Sequence, residues 1–143
     1  MTAIVVTKEQ VAPVNARDAE IIPLIAGESI DYGDPIFIKT TTGKAFKTLA
    51  AAAGTAKFAG FSLSKGGAGQ AIDCMKKGWL FGWTISALAY GAAVYAGNTG
   101  GADTAAGTVS LQIASVVPLT DPALTKVLYV DADWTTGAFA AGA

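Results

Sequence analysis

The sequence predicts an all-β protein, a small antiparallel β-barrel or β-sandwich with an extended N-terminal arm. The apolar runs between residues 57 and 97 are too short for helices of ordinary length, and glycine-rich turns separate them. Apolar and polar residues alternate within several of these runs, which is typical of strands. We therefore divide the chain into an arm at 1–19, a single β domain at 20–136 and a flexible Ala/Gly tail at 137–143.

The composition indicates a protein that contacts other proteins. Hydrophobic residues make up 52% of the 143 residues and charged residues only 15%, whereas an average soluble domain has about 25% charged residues. No apolar run reaches the roughly 18 residues of a membrane-spanning helix, and the N-terminus lacks the pattern of a secretory signal. We therefore expect no membrane partner, and we expect the surplus apolar surface to meet protein.

The charges are unevenly distributed although the net charge is only −1. Residues 1–34 carry two basic and six acidic side chains, and residues 35–79 carry seven Lys and one Asp. Lysines without arginine or interleaved aromatic residues are typical of solvated strand edges that resist aggregation. Complementarity between an acidic arm and a basic neighbour is the alternative. We expect no nucleic-acid partner.

The first 19 residues lack the pattern of a packed element. Ile4, Val5 and Val6 form a short apolar run, and the residues that follow lose all periodicity. Pro13 lacks a backbone N–H donor and biases the preceding residue toward extended geometry. We predict an arm whose apolar run adds to a sheet edge on a neighbouring protein, with Ile4, Val5, Val6 and Pro13 as candidate partner contacts. An N-terminal edge strand folded back on its own domain is an equally open alternative.

Turn-forming residues mark the other strands of the domain. Pro23 lies within an apolar run and confines that strand to a sheet edge or a bulge. Two further runs flank Gly43 and predict a hairpin. The alanine-rich segment at 50–56 is interrupted by a glycine and predicts a loop or one short turn. A turn at 121–125 precedes the last clear strand at 126–131, and the tail beyond residue 136 shows no packing pattern.

The stretch at 71–85 predicts two strands separated by Lys-Lys-Gly at 76–78. In the first strand, Ile72 and Cys74 share one face. In the second strand, four residues share the face opposite Leu80, and three of them are aromatic. A buried core or a subunit contact is the commoner explanation of such a stripe, and a platform on which sugars or bases stack is the alternative. The stripe consists of Trp79, Phe81, Trp83 and Ile85.

The sequence offers little catalytic chemistry. It contains no His, which removes His-activated nucleophiles and His-ligated metal sites. The glycine-rich segment at 66–69 is not followed by the Lys-Ser/Thr of a phosphate-binding loop, so it predicts a tight turn. Cys74 is the only cysteine, which excludes an internal disulfide, and its apolar surroundings predict an inert core thiol. We expect no enzyme activity, no cofactor and no metal site.

Two pairs of carboxylates keep one enzymatic alternative open. Asp31 with Asp34, and Asp131 with Asp133, could each supply oxygen ligands to Ca²⁺. Two of these four residues could also serve a carboxylate-based hydrolase. Turn-forming Asp is the commoner explanation for both pairs.

Several glycine turns and strands follow one another in a distinctive order. They are Asp-Tyr-Gly-Asp-Pro at 31–35, Ala-Gly-Phe-Ser-Leu-Ser at 59–64, Gly-Gln-Ala-Ile-Asp-Cys at 69–74, Gly-Trp-Leu-Phe-Gly at 78–82, Tyr-Gly-Ala-Ala-Val-Tyr at 90–95 and Gly-Gly at 100–101. Ile-Ala-Ser-Val-Val at 113–117 and a final strand with Val-Leu-Tyr-Val at 127–130 complete the order. Over about residues 26–131 this order resembles the small capsid decoration, or cement, proteins of tailed bacteriophages.

The resemblance implies a compact β-domain that assembles as a homotrimer on the outer surface of a phage head. There it would clamp neighbouring subunits of the major capsid protein. Such a protein is made in the host cytoplasm and located in the virion. The arm and the tail lie outside the resemblance. The alternative function is a sugar- or ligand-binding β-domain that uses Trp79, Phe81 and Trp83.

Overall fold

The computed structural model describes residues 3–119, 125–135 and 137–142 and confirms the all-β class. One 3-10 turn precedes eleven strands, and the described residues contain no α-helix. The segment at 50–56 consists of turns, as predicted. The predicted turn at 121–125 falls largely outside the described residues. The elements are the 3-10 turn Lys8–Gln10 and strands β1 (Ala12–Pro13), β2 (Glu20–Ile25), β3 (Pro35–Lys39), β4 (Ala45–Lys47), β5 (Gly60–Ser62), β6 (Ala71–Phe81), β7 (Ala93–Ala96), β8 (Ala102–Asp103), β9 (Gln112–Pro118), β10 (Lys126–Asp131) and β11 (Phe139–Ala140).

Strand β6 is the centre of the sheet and has 11 residues. Its first half pairs antiparallel with β2 on one side and β5 on the other, since both partners meet it at Cys74 and Met75. Its second half pairs with β1 and β10, which both meet it at Leu80. From β10 the sheet continues through β9 and β7 to β8, and from β5 it continues through β3 to β11. The sequence predicted two strands here, but Lys-Lys-Gly at 76–78 lies inside one strand.

A β-bulge divides β6 into these two halves. Ile21 of β2 is opposite Met75, whereas Glu20 is opposite Lys77, so Lys76 is an extra residue on β6. Because side chains alternate between the faces of a strand, one extra residue shifts the alternation of everything that follows. The face that points into the domain therefore changes along β6.

This change allows β6 to contribute to two hydrophobic cores. Ile72 and Cys74, before the bulge, belong to a smaller core, and Met75 and Leu80 belong to a larger one. Cys74 and Met75 are successive residues, so the two cores lie on opposite faces of the strand. The smaller core comprises Ala26, Ile30, Ile36, Ile38, Ala45, Ala59, Ile72, Cys74 and Ala138. The larger core includes Phe58, Phe61, Met75, Leu80, Trp83, Val94, Ile113, Val116, Leu128 and Val130.

The N-terminal segment joins the β8 end of the sheet to the chain just beyond the central strand β6, beside the larger core. The Ile4 amide donates to the Ala102 carbonyl of β8 (2.9 Å), and the Thr7 amide donates to the Gly82 carbonyl just beyond β6 (2.7 Å). The Thr84 amide returns a bond to the Val5 carbonyl (2.9 Å). The segment thus connects β8, at one end of the sheet, with the chain that follows β6.

The prediction of an arm that extends away from the domain is therefore wrong for the described residues. Ile4 is buried in the larger core, Val6 packs against that core, and Pro13 lies in β1 opposite Leu80. The alternative of an N-terminal segment folded back on its own domain agrees with the structure. Local sequence pattern could not distinguish the two, because the partners of this segment lie 67 to 98 residues away in the chain.

The tail also packs, contrary to the prediction of a flexible segment at 137–143. Strand β11 pairs parallel with β3, and Ala138 is fully buried in the smaller core. The Ile38 amide donates to the Ala138 carbonyl (2.8 Å), and the Gly142 amide donates to the Gly54 carbonyl (3.0 Å). Alanine and glycine fit here because their small size lets the backbone approach a neighbouring strand closely. The small side chains of this tail therefore do not prevent it from packing on the domain.

Strand β2 lies at the edge of the sheet, as Pro23 predicted. Pro23 is opposite Asp73, whose amide and carbonyl are both engaged on the other side of β6, with Ser64 and Leu63. In an antiparallel pair, opposite residues exchange both hydrogen bonds or neither. The backbone nitrogen of Pro23 therefore faces the open edge, where a missing donor discourages pairing with another chain.

Candidate interaction surfaces

The aromatic stripe of β6 is divided between outside and inside. Trp79 is 40% exposed while Leu80 is fully buried, so the explanation of Trp79 as a core residue is wrong, whereas a subunit contact stays a prediction. Phe81 is half-buried on the side of Trp79. Beyond the kink at Gly82 (φ +127°), Trp83 points inward and packs edge-to-face on Phe61 at 5.1 Å. The physical reason is that Leu80 points into the larger core, so its neighbour Trp79 lies on the opposite, outer face of β6.

Trp79 belongs to a row of side chains that crosses the outer face of three more strands. It is directly opposite Tyr129 of β10, and the two ring centroids are 5.4 Å apart at 55°. Tyr129 is opposite Ser115 of β9, which is opposite Ala93 of β7. Residues directly opposite each other in antiparallel strands share a face. We call Trp79 and Tyr129 the aromatic pair.

A cavity of about 340 Å³ lies beside the aromatic pair, since Tyr129 of the pair also lines the cavity. Its apolar wall comes from the larger core, and its polar wall comes from the ends of β9 and β10. The Gln112 amide donates to the Ser115 hydroxyl at 3.0 Å, which fixes two of the polar groups. The lining includes Phe58, Ile113, Gln112, Ser115, Tyr129, Asp131 and Asp133.

A second cavity of about 290 Å³ lies beside the hairpin of β3 and β4. The Lys39 ammonium lies 5.2 Å from the centre of the Phe46 ring, and both side chains line the cavity. The Lys47 amide donates to the Glu28 carboxylate (3.0 Å) at the same place. The aliphatic part of Lys39 and the ring of Phe46 thus cover one another, and the ammonium group of Lys39 stays at the surface.

Other large apolar side chains are exposed at separate places on the domain. Ile21 and Ile25 of β2 are 38% and 43% exposed, and Pro23 lies between them on the same face. We call Ile21, Pro23 and Ile25 the edge row. Val5 is 65% exposed although its neighbours point inward. Of the four candidate partner contacts, Val5 alone presents a mostly exposed side chain, and contact of these residues with a partner stays a prediction.

The carboxylates of the first predicted pair stabilise a turn. Lys8 lies 2.8 Å from Asp31, and this hydrogen bond lowers the pKa of the Asp31 carboxyl. Burial raises the pKa of Asp34, although its carboxylate accepts the amide of Asp31 at 2.9 Å. These contacts are those of turn-forming Asp. Asp131 and Asp133, by contrast, line the cavity beside the aromatic pair.

Cys74 is fully buried in the smaller core, as the sequence predicted. Burial raises the pKa of its thiol to about 12. The sulfur lies 3.6 Å from the Ala59 carbonyl, which accepts its weak hydrogen bond. A neutral, inaccessible thiol of this kind does not act as a nucleophile.

Within the ranges that the structure describes, no group of three or more His, Cys, Asp or Glu side chains could hold a metal ion. The same part of the chain contains no helix of the length and hydrophobicity needed to cross a bilayer. No protein-family model, curated protein or solved structure matches the chain.

Proposed function

We propose that this protein is a structural component of a phage virion, a decoration protein that binds the outer surface of the head. It would stabilise the contacts between subunits of the major capsid protein and associate as a homotrimer. The observation that carries the proposal is the order of glycine turns and strands over residues 26–131. In the fold these segments lie in strands β5, β6, β7, β9 and β10 and in turns between strands.

Composition and surface support this proposal from a different direction. The chain is 52% hydrophobic, and its described residues leave large apolar side chains exposed at several separate places. A protein whose function is contact on more than one side needs such surfaces. Closed cyclic symmetry covers them without producing filaments.

The edge row is the surface we assign to contact between subunits. Ile21, Pro23 and Ile25 present three adjacent apolar side chains on a strand whose main chain is poorly suited to strand addition. Contact through side chains is the mode that such an edge permits. Glu20, which precedes Ile21, forms an ion pair with Lys76 at 3.3 Å. Its charge therefore does not interrupt the edge row.

Light scattering of the purified chain and co-sedimentation with empty heads test the proposal. The heads are assembled from the major capsid protein encoded in the same genome. We expect a trimer that sediments with the heads, and we expect the double variant Ile21→Ser/Ile25→Ser to weaken trimer formation. Tyr32→Ser is the matched control, because Tyr32 is equally exposed (38%) outside the edge row. A monomer that does not sediment with the heads would rule the function out.

A further inference from the structure

The aromatic pair has the form of a stacking platform. A tryptophan on a central strand normally contributes its large surface to a core, but Trp79 remains 40% exposed. Tyr129 supports it from the neighbouring strand at 5.4 Å, so the indole ring is held in place by an adjacent side chain. Strands hold side chains more rigidly than loops do, which reduces the entropy lost when a ligand binds.

The cavity beside the pair supplies polar groups at the edge of this platform. Ser115 and Asp131 share the outer face with Tyr129, because Ser115 is opposite it and Asp131 is two residues along the same strand. Gln112 and Asp133 also line the cavity, and Gln112 is hydrogen-bonded to Ser115. A volume of about 340 Å³ is at the small end of the range for ligand pockets. An aromatic surface next to a few convergent polar groups is the general form of a small-molecule site.

The polar groups select the chemistry of the ligand. Asp131 and Asp133 accept hydrogen bonds and repel anions, which disfavours phosphate-bearing ligands such as nucleotides. Lys77 is directly opposite Asp131 on the same face, and its charge disfavours a cationic ligand over the aromatic pair. A neutral ligand with many hydroxyl donors and an apolar C–H face meets all of these conditions.

We propose that Trp79, Tyr129 and the adjoining cavity bind a neutral saccharide built of hexopyranose rings. The C–H face of one ring stacks on Trp79, and its hydroxyl groups donate to Asp131 and exchange hydrogen bonds with Ser115 and Gln112. This site is separate from the contact between subunits proposed above, because the edge row is on a different strand. On a virion surface it would let the bound protein touch a polysaccharide.

Calorimetric titration of the full chain with chitohexaose, cellohexaose and maltohexaose tests this site. We expect at least one of them to bind with a Kd of about 0.1–1 mM, the weak range that a single stacked ring and a few hydrogen bonds allow. Tryptophan fluorescence should change on binding, because Trp79 is far more exposed than Trp83. Trp79→Ala should reduce the affinity about tenfold or more. Asp131→Asn, which preserves shape, should reduce it about tenfold.

Tyr32→Ala is the matched control, since Tyr32 is exposed to a similar extent (38%) and lies outside the site. It should bind as the unchanged chain does, and circular dichroism should show that all three variants are folded. The proposal is overturned if none of the three oligosaccharides binds at about 5 mM, several times the weakest Kd expected. It is also overturned if Trp79→Ala changes the oligomeric state while leaving saccharide affinity intact, because the pair is then a contact between copies.

Discussion

Replacing Ile4 by alanine should destabilise the domain by about 2–3 kcal/mol, whereas replacing Val5 by alanine should cost less than about 0.5 kcal/mol. The two residues are adjacent, but Ile4 is 8% exposed in the larger core and Val5 is 65% exposed. The change at Ile4 removes three carbon atoms at about 0.8 kcal/mol each, or about 2.4 kcal/mol before any cavity is counted. The cavity cost should be small, because a segment held by a few isolated backbone bonds can relax.

Thermal and urea unfolding followed by circular dichroism measure the two effects. For a chain of this length, 1 kcal/mol corresponds to roughly 3–4 °C, so Ile4→Ala should lower Tm by about 6–12 °C. Val5→Ala should lower it by about 2 °C or less. The urea midpoint should fall without a change of slope, since the amount of surface exposed on unfolding is almost unchanged.

Val5→Ala controls for the segment itself, because both variants keep the backbone bonds to Ala102 and Gly82. If Ile4→Ala proves as mild as Val5→Ala, the N-terminal segment does not hold β8 to the chain beyond β6. The first prediction from sequence, a free arm, would then be the better description. Deletion of residues 1–7 gives an independent answer, since it removes the bridging bonds and should cost more than either substitution.

Two further predictions concern buried positions near β6. Gly60→Ala should lower the free energy of unfolding in urea by about 3 kcal/mol or more, because φ is +150° and a Cβ would lie 2.3 Å from the Met75 carbonyl oxygen. The control Gly43→Ala, at φ +69° with open space around it, should lower it by about 1 kcal/mol. Equal costs for the two variants would contradict this packing. Burial raises the pKa of the Cys74 thiol to about 12 from 9.0, so a thiol reagent at pH 8 should label the folded chain at least about 1,000-fold more slowly than the unfolded chain. The folded state binds this proton more tightly, so the thiol's contribution to stability should fall as pH rises above about 9; fast labelling of the folded chain would show that the smaller core is open.

The all-β class and several local features could be predicted because they depend on near neighbours in sequence. The hairpin at Gly43 and the edge position of Pro23 follow from backbone chemistry at single residues. The burial of Cys74 follows from its alternation with Ile72. None of these depends on where distant strands lie. They hold in the structure for the reasons that the sequence supplied.

The two chain ends could not be predicted, because their packing depends on strands far away in sequence. In the N-terminal run, Ile4 and Val6 point inward and Val5 points outward, which is ordinary strand alternation. The apolar character of Val5 hid that alternation. In the tail, Ala138 is buried without the large apolar side chain that marks a core position. Small residues carry no such signal, although they permit the close approach of β11 to β3.

The aromatic pair could be predicted only in part. The sequence indicates a stacking role for Trp79 only as the alternative to a core or subunit contact, and it does not indicate Tyr129, because cross-strand register cannot be derived from either strand alone. The available signal was the period of two in β10, where Tyr129 and Asp131 share the face opposite Leu128 and Val130. That pattern identifies an outward aromatic residue next to a carboxylate. It does not identify the strand beside which they lie.

The alternation of side chains between the two faces of β6 decides which of them can contact a partner. If Lys76 took part in regular alternation, Ile72 and Cys74 would share a face with Leu80 instead of with Trp79, and β6 would bury one face along its whole length. With Lys76 as an extra residue, the strand buries Cys74 on one face and Leu80 on the other. Trp79 lies on the face of Cys74 but outside the smaller core, where it is exposed. The bulge thus lets one strand line two cores, and Trp79 reaches the surface because its neighbour Leu80, on the opposite face, enters the larger core.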